Sequence, residues 1–558
     1  MKKLVIIFFL AFLFLRIASA QDFTYIISNS EDWRDVYSSI IYASFEGVGS
    51  DFLVSTAHGN ILLNGISKGN KIRVLSSSDN PFVFNYPDTI KSKGFAGVDE
   101  INAKNLNLEL IKSLSDINNF VIVGNSYGYN AIAVAPYAIK SKSWVFFADR
   151  ANIAEIDSII SSRNAKKIII YGTLDREVKN TLAKYTPQII DNGDKFKDNI
   201  DITKEYLKIN PTKQLILTNG EFIEKEIMSG TEPILFTGKE NVPEQIADYL
   251  KNSDFEVGVL IGNELVGAAT NIRRTTGISV IVKFARSSRI PAGGVSVVEG
   301  LDLFYLPTPT LKLDLYSVKY NRASSQLEVT YKSESNVPAY FKGTISLIYE
   351  NEKKKVGDIE PIFIAQNSFK TVTYSGLNIN SDSIEAEVYT LYGETTISLD
   401  MILQKTLKVD IVNVIDQCNI DVESIKYSKQ KKSFILKVNN KAYVECWANA
   451  ELSNLIIEGT KSTIGSEGAV KISPKKSQDI VIKQEMSDED LGKNSFVDVI
   501  VNYGEKEDSL VKMFKGRFEL KIESLSILTY AIIALAIAIL VLIIIIIILK
   551  RREKNYDS

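Results

Sequence analysis

The chain has 558 residues, with 65 Lys and Arg set against 67 Asp and Glu for a formal net charge of −2. That balance supplies no overall field for nucleic acid or an anionic surface, so nucleic-acid binding is not indicated. One histidine and two cysteines rule out the common zinc sites, and no loop carries calcium-ligand spacing, so no metal and no cofactor is expected.

The N-terminus reads Met1-Lys2-Lys3, then an apolar run to Leu15, then Ala18-Ser19-Ala20. A basic start, a short apolar centre and an Ala-x-Ala end predict a secretory signal over residues 1–20, cut before Gln21. From about 24 to 284 short apolar strands alternate with helix-like stretches. The strand candidates are 25–28, 52–55, 71–75, 120–123, 144–147, 167–171, 214–217, 233–236, 257–261 and 278–282. Runs that are apolar on both faces suit buried parallel strands, and their alternation with helices predicts an α/β head over 21–300. The prolines of 301–310 predict a semi-rigid connector.

Beyond 311 the period changes to two, as in Gln326-Leu327-Glu328-Val329-Thr330-Tyr331. One wet face and one buried face predict two all-β, Ig-like sandwiches over 311–416 and 417–520. Cys418 and Cys446 fall in the second, either as one disulfide or as two buried thiols. The only Asn-x-Thr match, Asn210-Pro211-Thr212, is disqualified as a glycosylation acceptor by its proline. Residues 527–549 carry no charge and precede Lys550-Arg551-Arg552. As a helix they would be about 34 Å long, against a hydrocarbon core of about 30 Å. A single transmembrane helix over 527–549 is expected, with 550–558 as a cytoplasmic tail and the rest displayed outside the cell membrane.

The head contains an internal repeat. Trp144 to Glu155, a helix, and Lys167 to Gly172 read like Pro233 to Glu244, a helix, and Val257 to Gly262. Each is preceded by a strand and a polar turn, Gly124-Asn125-Ser126 and Thr218-Asn219-Gly220, and a weaker third copy begins at Tyr25. This pattern resembles the cell-wall-binding repeat type 2 family, most clearly over 124–138, 167–172 and 233–250. The resemblance covers 24–284. It implies three tandem units packed as a pseudo-threefold α/β trimer that holds a surface protein to an anionic wall polymer. Sandwich modules with a membrane helix are also similar to archaeal surface proteins, which implies an S-layer or envelope setting.

Gly124-Asn125-Ser126-Tyr127-Gly128 matches the Gly-x-Ser-x-Gly turn of a hydrolase nucleophile. That chemistry needs a base, and the single histidine, His58, lies upstream, where that fold does not place it. A strand-to-helix turn is the simpler reading. Open α/β sheets bind ligands beyond the carboxyl ends of their strands. The polar residues at those ends give the candidate ligand-binding set Asn125, Ser126, Arg150, Arg176, Asn219, Lys239 and Asn263, in which the basic members could pair with an anion. The functional expectation is a non-catalytic, membrane-anchored surface protein that binds or organises an envelope polymer or S-layer protein. Its alternatives are a membrane-tethered serine hydrolase using Ser126, and a stalk or coat subunit without a ligand.

Overall fold

The computed structural model describes residues 23–262, 265–283, 302–350 and 352–523, the backbone of 286–287 and 298–299, and positions 539, 541 and 543–545. It divides into two units. One is Met1–Thr310 with Leu391–Ile402, and the other is Leu311–Thr390 with Leu403–Ser558.

The first unit is an α/β repeat built on three four-stranded parallel sheets. Their strand orders are Gly49–Phe52, Tyr25–Asn29, Lys71–Ser77, Gly97–Ala103; then Ser143–Ala148, Asn119–Gly124, Lys167–Tyr171, Gln188–Ile190; then Ile234–Phe236, Gln214–Thr218, Val257–Ile261, Ser279–Lys283. Each sheet therefore runs second, first, third, fourth in order of appearance. Strands at the sheet centres are apolar on both faces because helices cover both, and Phe120, Val121, Ile122 and Val123 are at most 1% exposed. Polar side chains cap some of the helices, as Asp32, Asn105 and Asp194 do. Asp32 accepts from the Arg34 amide at 2.9 Å at the head of Trp33–Glu46, which stops at Gly47 with φ +69°.

Helices also tie one sheet to the next. Asn107 on Leu106–Ser113 donates to the Val145 carbonyl of the second sheet at 2.8 Å. Asn199 on Lys195–Ile209 donates to the Ile234 carbonyl of the third at 3.1 Å and accepts from the Phe236 amide at 2.7 Å. The proline-containing segment is packed rather than free. Phe304–Tyr305 pairs with Phe222–Ile223, and Phe304 and Leu306 belong to the core of the first unit.

Between 311 and 523 the described residues of the second unit are almost all β. Phe369–Ser375, Gln326–Ser333, Leu313–Asn321 and Asp410–Val412 form one sheet, and Glu352–Gly357, Ala339–Tyr349, Glu385–Gly393 and Met401–Lys408 the next. The arrangement recurs downstream. Ser477–Lys483, Ser433–Asn440, Ile420–Ser428 and Lys521–Glu523 form one sheet, and Thr460–Gly465, Cys446–Ile457, Phe496–Gly504 and Lys512–Glu519 its companion. The details repeat as well. The register slips between Leu315 and Ser317 in one copy and between Val422 and Ser424 in the other. Tyr320 and Tyr427 each bond a backbone carbonyl, of Leu377 and of Gln484. Cys418 and Cys446 are joined in a disulfide with Cα atoms 5.7 Å apart.

The membrane part of the expected fold class is corrected. No helix among the described residues is long and apolar enough to cross a membrane. The longest, Lys195–Ile209, has 15 residues and carries several charges, so it would reach only about 23 Å. The expected span at 527–549 lies outside the described residues except for Ile539, Val541, Ile543, Ile544 and Ile545. The single-pass architecture, the membrane as a partner and the cell-membrane localisation that rested on that span are withdrawn with it. The expected signal at 1–20 and tail at 550–558 also lie outside the described residues.

Candidate functional site

In the second sheet the chain leaves Asn119–Gly124 toward one edge and Lys167–Tyr171 toward the other. A crevice opens between strands that diverge in this way, beyond their carboxyl ends. A cavity of about 390 Å³ lies there, bordered by Gly124, Ser126, Tyr129, Asn130, Gly172 and Thr173. Gly172 has φ +74°, and a Cβ on it would stand 2.6 Å from Asn130 Nδ2. The turn therefore requires glycine, and glycine keeps the crevice open.

The far wall is acidic. Helix Lys195–Ile209 begins at the cavity, and Leu391–Ile402 brings in Glu394, Thr395 and Ser398. Asp194, only 4% exposed, caps the helix by accepting from the Phe196 and Lys197 amides at 3.1 and 3.0 Å. It also accepts from Gln245 Nε2 and Thr395 Oγ1, both at 2.7 Å, and from the Ser398 hydroxyl. Lys195 Nζ lies 2.7 Å from Glu394 and 3.8 Å from Asp400. Burial by itself would lower the Lys195 ammonium, but Glu394 and Asp400 hold it well above the usual lysine range. Asp198 is pushed up to about 6 by burial, against two hydrogen bonds from Asn192. Burial likewise raises the Tyr129 phenol. Tyr127 and Tyr129 stack with ring centroids 6.2 Å apart at the same rim.

Of the residues expected from the sequence, Ser126 lines this cavity and is exposed. Asn125, beside it, donates to Asp149 at 2.5 Å. Arg150 Nε lies 3.6 Å from Asp175, and Lys239 Nζ lies 2.8 Å from Glu221. Arg176 opens helix Arg176–Leu182, and Asn219 accepts from the Glu221 amide at 3.2 Å. Asn263 lies outside the described residues. The structure thus spreads the set over two sheets and brings only Ser126 of it to the cavity. Asp194, Lys195, Asp198, Glu394 and Ser398 were not foreseen, although Gly193-Asp194 before a helix is a readable cap.

The lining contains no histidine. His58 sits in the first sheet's region, with Nε2 3.3 Å from Asp302 and Nδ1 accepting from the Val54 amide at 3.4 Å. Among the described residues, no group of three His, Cys, Asp or Glu side chains is placed to hold a metal ion.

No protein-family model matches this chain, and no curated protein matches it. Among solved structures, red sea bream transglutaminase aligns at TM-score 0.12 and 10% identity, over 39% of this chain and 31% of that one. The class 5 fimbriae chaperone CfaA aligns at TM-score 0.14 and 12% identity, over 37% of this chain and 99% of that one. The ligand-binding region of serine-glutamate repeat protein A of Enterococcus faecium aligns at 0.14 and 16% identity, over 19% of this chain and 99% of that one. At such scores these likenesses carry no argument about fold or function.

Proposed function

We propose that this is a non-catalytic binding protein whose α/β head takes a neutral, polyhydroxylated unit, such as a sugar of an envelope polymer or glycosylated coat protein. The observation that carries the reading is the cavity at the switch point of the second sheet. Its size falls within the range of small-ligand sites. Hydroxyl and amide groups from Ser126, Asn130, Thr173 and Thr395 face it beside a stacked tyrosine pair. Sugars use both kinds of partner, through their hydroxyls and their apolar faces.

Charge selects against an anionic polymer. Asp194, Asp198 and Glu394 border the cavity with Lys195, whose charge is already matched by Glu394 and Asp400. The basic turn residues Arg150 and Lys239 face acids of their own. Catalysis is disfavoured for a related reason. A serine nucleophile needs an adjacent unprotonated base, and the lysine at this cavity, Lys195, is held protonated. The Cys418–Cys446 disulfide suits an oxidising compartment, as an envelope role requires.

The test is calorimetric titration of the purified chain with neutral oligosaccharides and with an anionic wall polymer, each at low and high salt. Saturable binding of a neutral oligosaccharide that salt leaves unchanged, and that Asn130→Ala weakens, is the expected result. Binding of the anionic polymer alone, falling as salt rises, would overturn the ligand class. Ester hydrolysis lost in Ser126→Ala would overturn the non-catalytic reading.

A further inference from the structure

In the second β-sandwich, Ala448, Ala450 and Leu452 of one strand and Val499 and Val501 of its neighbour belong to the core. Side chains alternate along a strand, so Asn449, Glu451 and Asn502 face away from that core. An outward face is ordinarily wet, yet these three are only 6%, 6% and 4% exposed. The loop and strand start around 366–370 of the first sandwich cover them. Gln366 donates to Glu467 at 2.7 Å, and Asn449 donates to the Phe369 carbonyl at 3.3 Å.

Lys370 enters this covered layer and is itself only 6% exposed. Its Nζ donates to Glu451 Oε1 at 2.6 Å and lies 3.3 Å from Asn502 Oδ1. The Asn502 amide nitrogen donates to the same Glu451 oxygen at 2.8 Å and to Asn449 Oδ1 at 3.0 Å. An amine, a carboxylate and a carboxamide are therefore in mutual contact, and the gap beside them has no room for a water molecule. A buried ion pair needs only the first two. The carboxamide gives the amine an electrophilic carbon, and the carboxylate touches both the attacking and the leaving nitrogen.

We propose that Lys370 and Asn502 join in an intramolecular isopeptide bond, with Glu451 as the proton carrier. Lys370 passes a proton to Glu451 along their hydrogen bond and becomes a neutral amine. Its lone pair attacks Asn502 Cγ, forming the Nζ–Cγ bond, and the C=O electron pair moves onto Oδ1. Proton transfer through Glu451 takes a hydrogen from Nζ and delivers one to Nδ2. The C=O bond reforms as the Cγ–Nδ2 bond breaks, and the leaving ammonia takes up the proton that Glu451 still holds, so that it departs as ammonium and Glu451 is again a carboxylate. A lysine ammonium and an asparagine amide become a secondary amide and an ammonium ion, with no oxidant or external reactant. Fixed proximity of this kind replaces a bimolecular encounter, and exclusion of water protects the product.

The experiment is intact-mass analysis and proteolytic mapping of the full-length purified chain. The expected result is a mass below that of the sequence by one ammonia and the two hydrogens of the Cys418–Cys446 disulfide, with a branched peptide joining residues 370 and 502. Glu451→Gln and Lys370→Arg are expected to remove the branched peptide and restore the mass of the ammonia. Recovery of 370 and 502 from the wild-type chain in separate, unmodified peptides would overturn the proposal. That holds even if ammonia has been lost elsewhere, and the wild-type map decides the matter should a variant fail to fold.

Discussion

Asn107 and Asn199 do the same work one repeat apart. Each sits on the helix that follows the fourth strand of its sheet, and each donates a side-chain amide hydrogen to a strand carbonyl of the next sheet, Val145 or Ile234. Both are buried, at 4% and 0% exposure, where an edge strand has no water to satisfy its outer groups. Asn199 also accepts from the Phe236 amide. Asn199→Leu keeps the volume but leaves that amide without its partner, so it should cost about 2–3 kcal/mol. Urea unfolding followed through the first transition checks this. A change within a few tenths of a kcal/mol would show that the clasp is dispensable.

Lys195 meets Glu394 from 199 residues away in the chain, at 2.7 Å. Asp400 shares the ammonium at 3.8 Å. Lys195→Met would strand two carboxylates near the cavity, and loss of one partner of a buried pair is far costlier than its net worth. A loss of about 2–4 kcal/mol is expected for Lys195→Met. Glu394→Gln should cost less, because Asp400 still matches the lysine. A double-mutant cycle over the pair should return a coupling of about 1–3 kcal/mol. Additive effects would mean that the two residues act independently.

Asp35 supplies a pH test in the first sheet's region. Its carboxyl is pushed up to about 6 by burial and by the nearby Asp32, against hydrogen bonds from Ser30 Oγ and the Leu106 amide. The folded chain keeps this proton to about pH 6, while the unfolded chain gives it up near 3.8. The contribution is therefore complete below the unfolded value and is lost as pH rises through 6. Asn cannot ionise, so Asp35→Asn should gain on the wild type by about 2 kcal/mol between pH 4 and pH 7. Unfolding curves for the two proteins at both pH values measure the difference. A constant gap between them would place the Asp35 carboxyl at its ordinary value.

The apolar runs at 120–123 and 167–171 fall inside Asn119–Gly124 and Lys167–Tyr171, where burial on both faces leaves a continuous hydrophobic signal. Gly97–Ala103 and Gln188–Ile190 carry no such signal. They are edge strands, and Asp99, Glu100 and Ile189 remain exposed. The likeness of the two sandwiches was visible in Tyr392-Gly393-Glu394 and Tyr503-Gly504-Glu505, but period-two alternation alone does not distinguish one sandwich from another. At the cavity, Ser126 was legible because strand, turn and helix are consecutive. Glu394 and Ser398 were not, since no local pattern announces that a hairpin tip will meet Asp194 across 204 residues. Arg150 and Lys239 show a similar limit of local pattern. A basic residue after a strand looks available for an anion until Asp175 and Glu221 are seen beside it.

The disulfide closes a sequence separation of 28 residues, from Cys418 ahead of Ile420–Ser428 to Cys446 at the start of Cys446–Ile457. Both cysteines are buried in the core of the second sandwich, at 2% and 0% exposure. A cross-link of that span removes loop entropy from the unfolded chain worth about 3–4 kcal/mol. Cys418→Ala with Cys446→Ala should lower the unfolding temperature of this sandwich by several degrees and leave that of the α/β unit unchanged. Reductant should leave the native wild type unaltered and act only once the sandwich opens, because neither sulfur is accessible. Two transitions in a calorimetric scan, run with and without reductant, separate these effects. A shift in the α/β transition instead would mean that the bond stabilises more than the sandwich containing it.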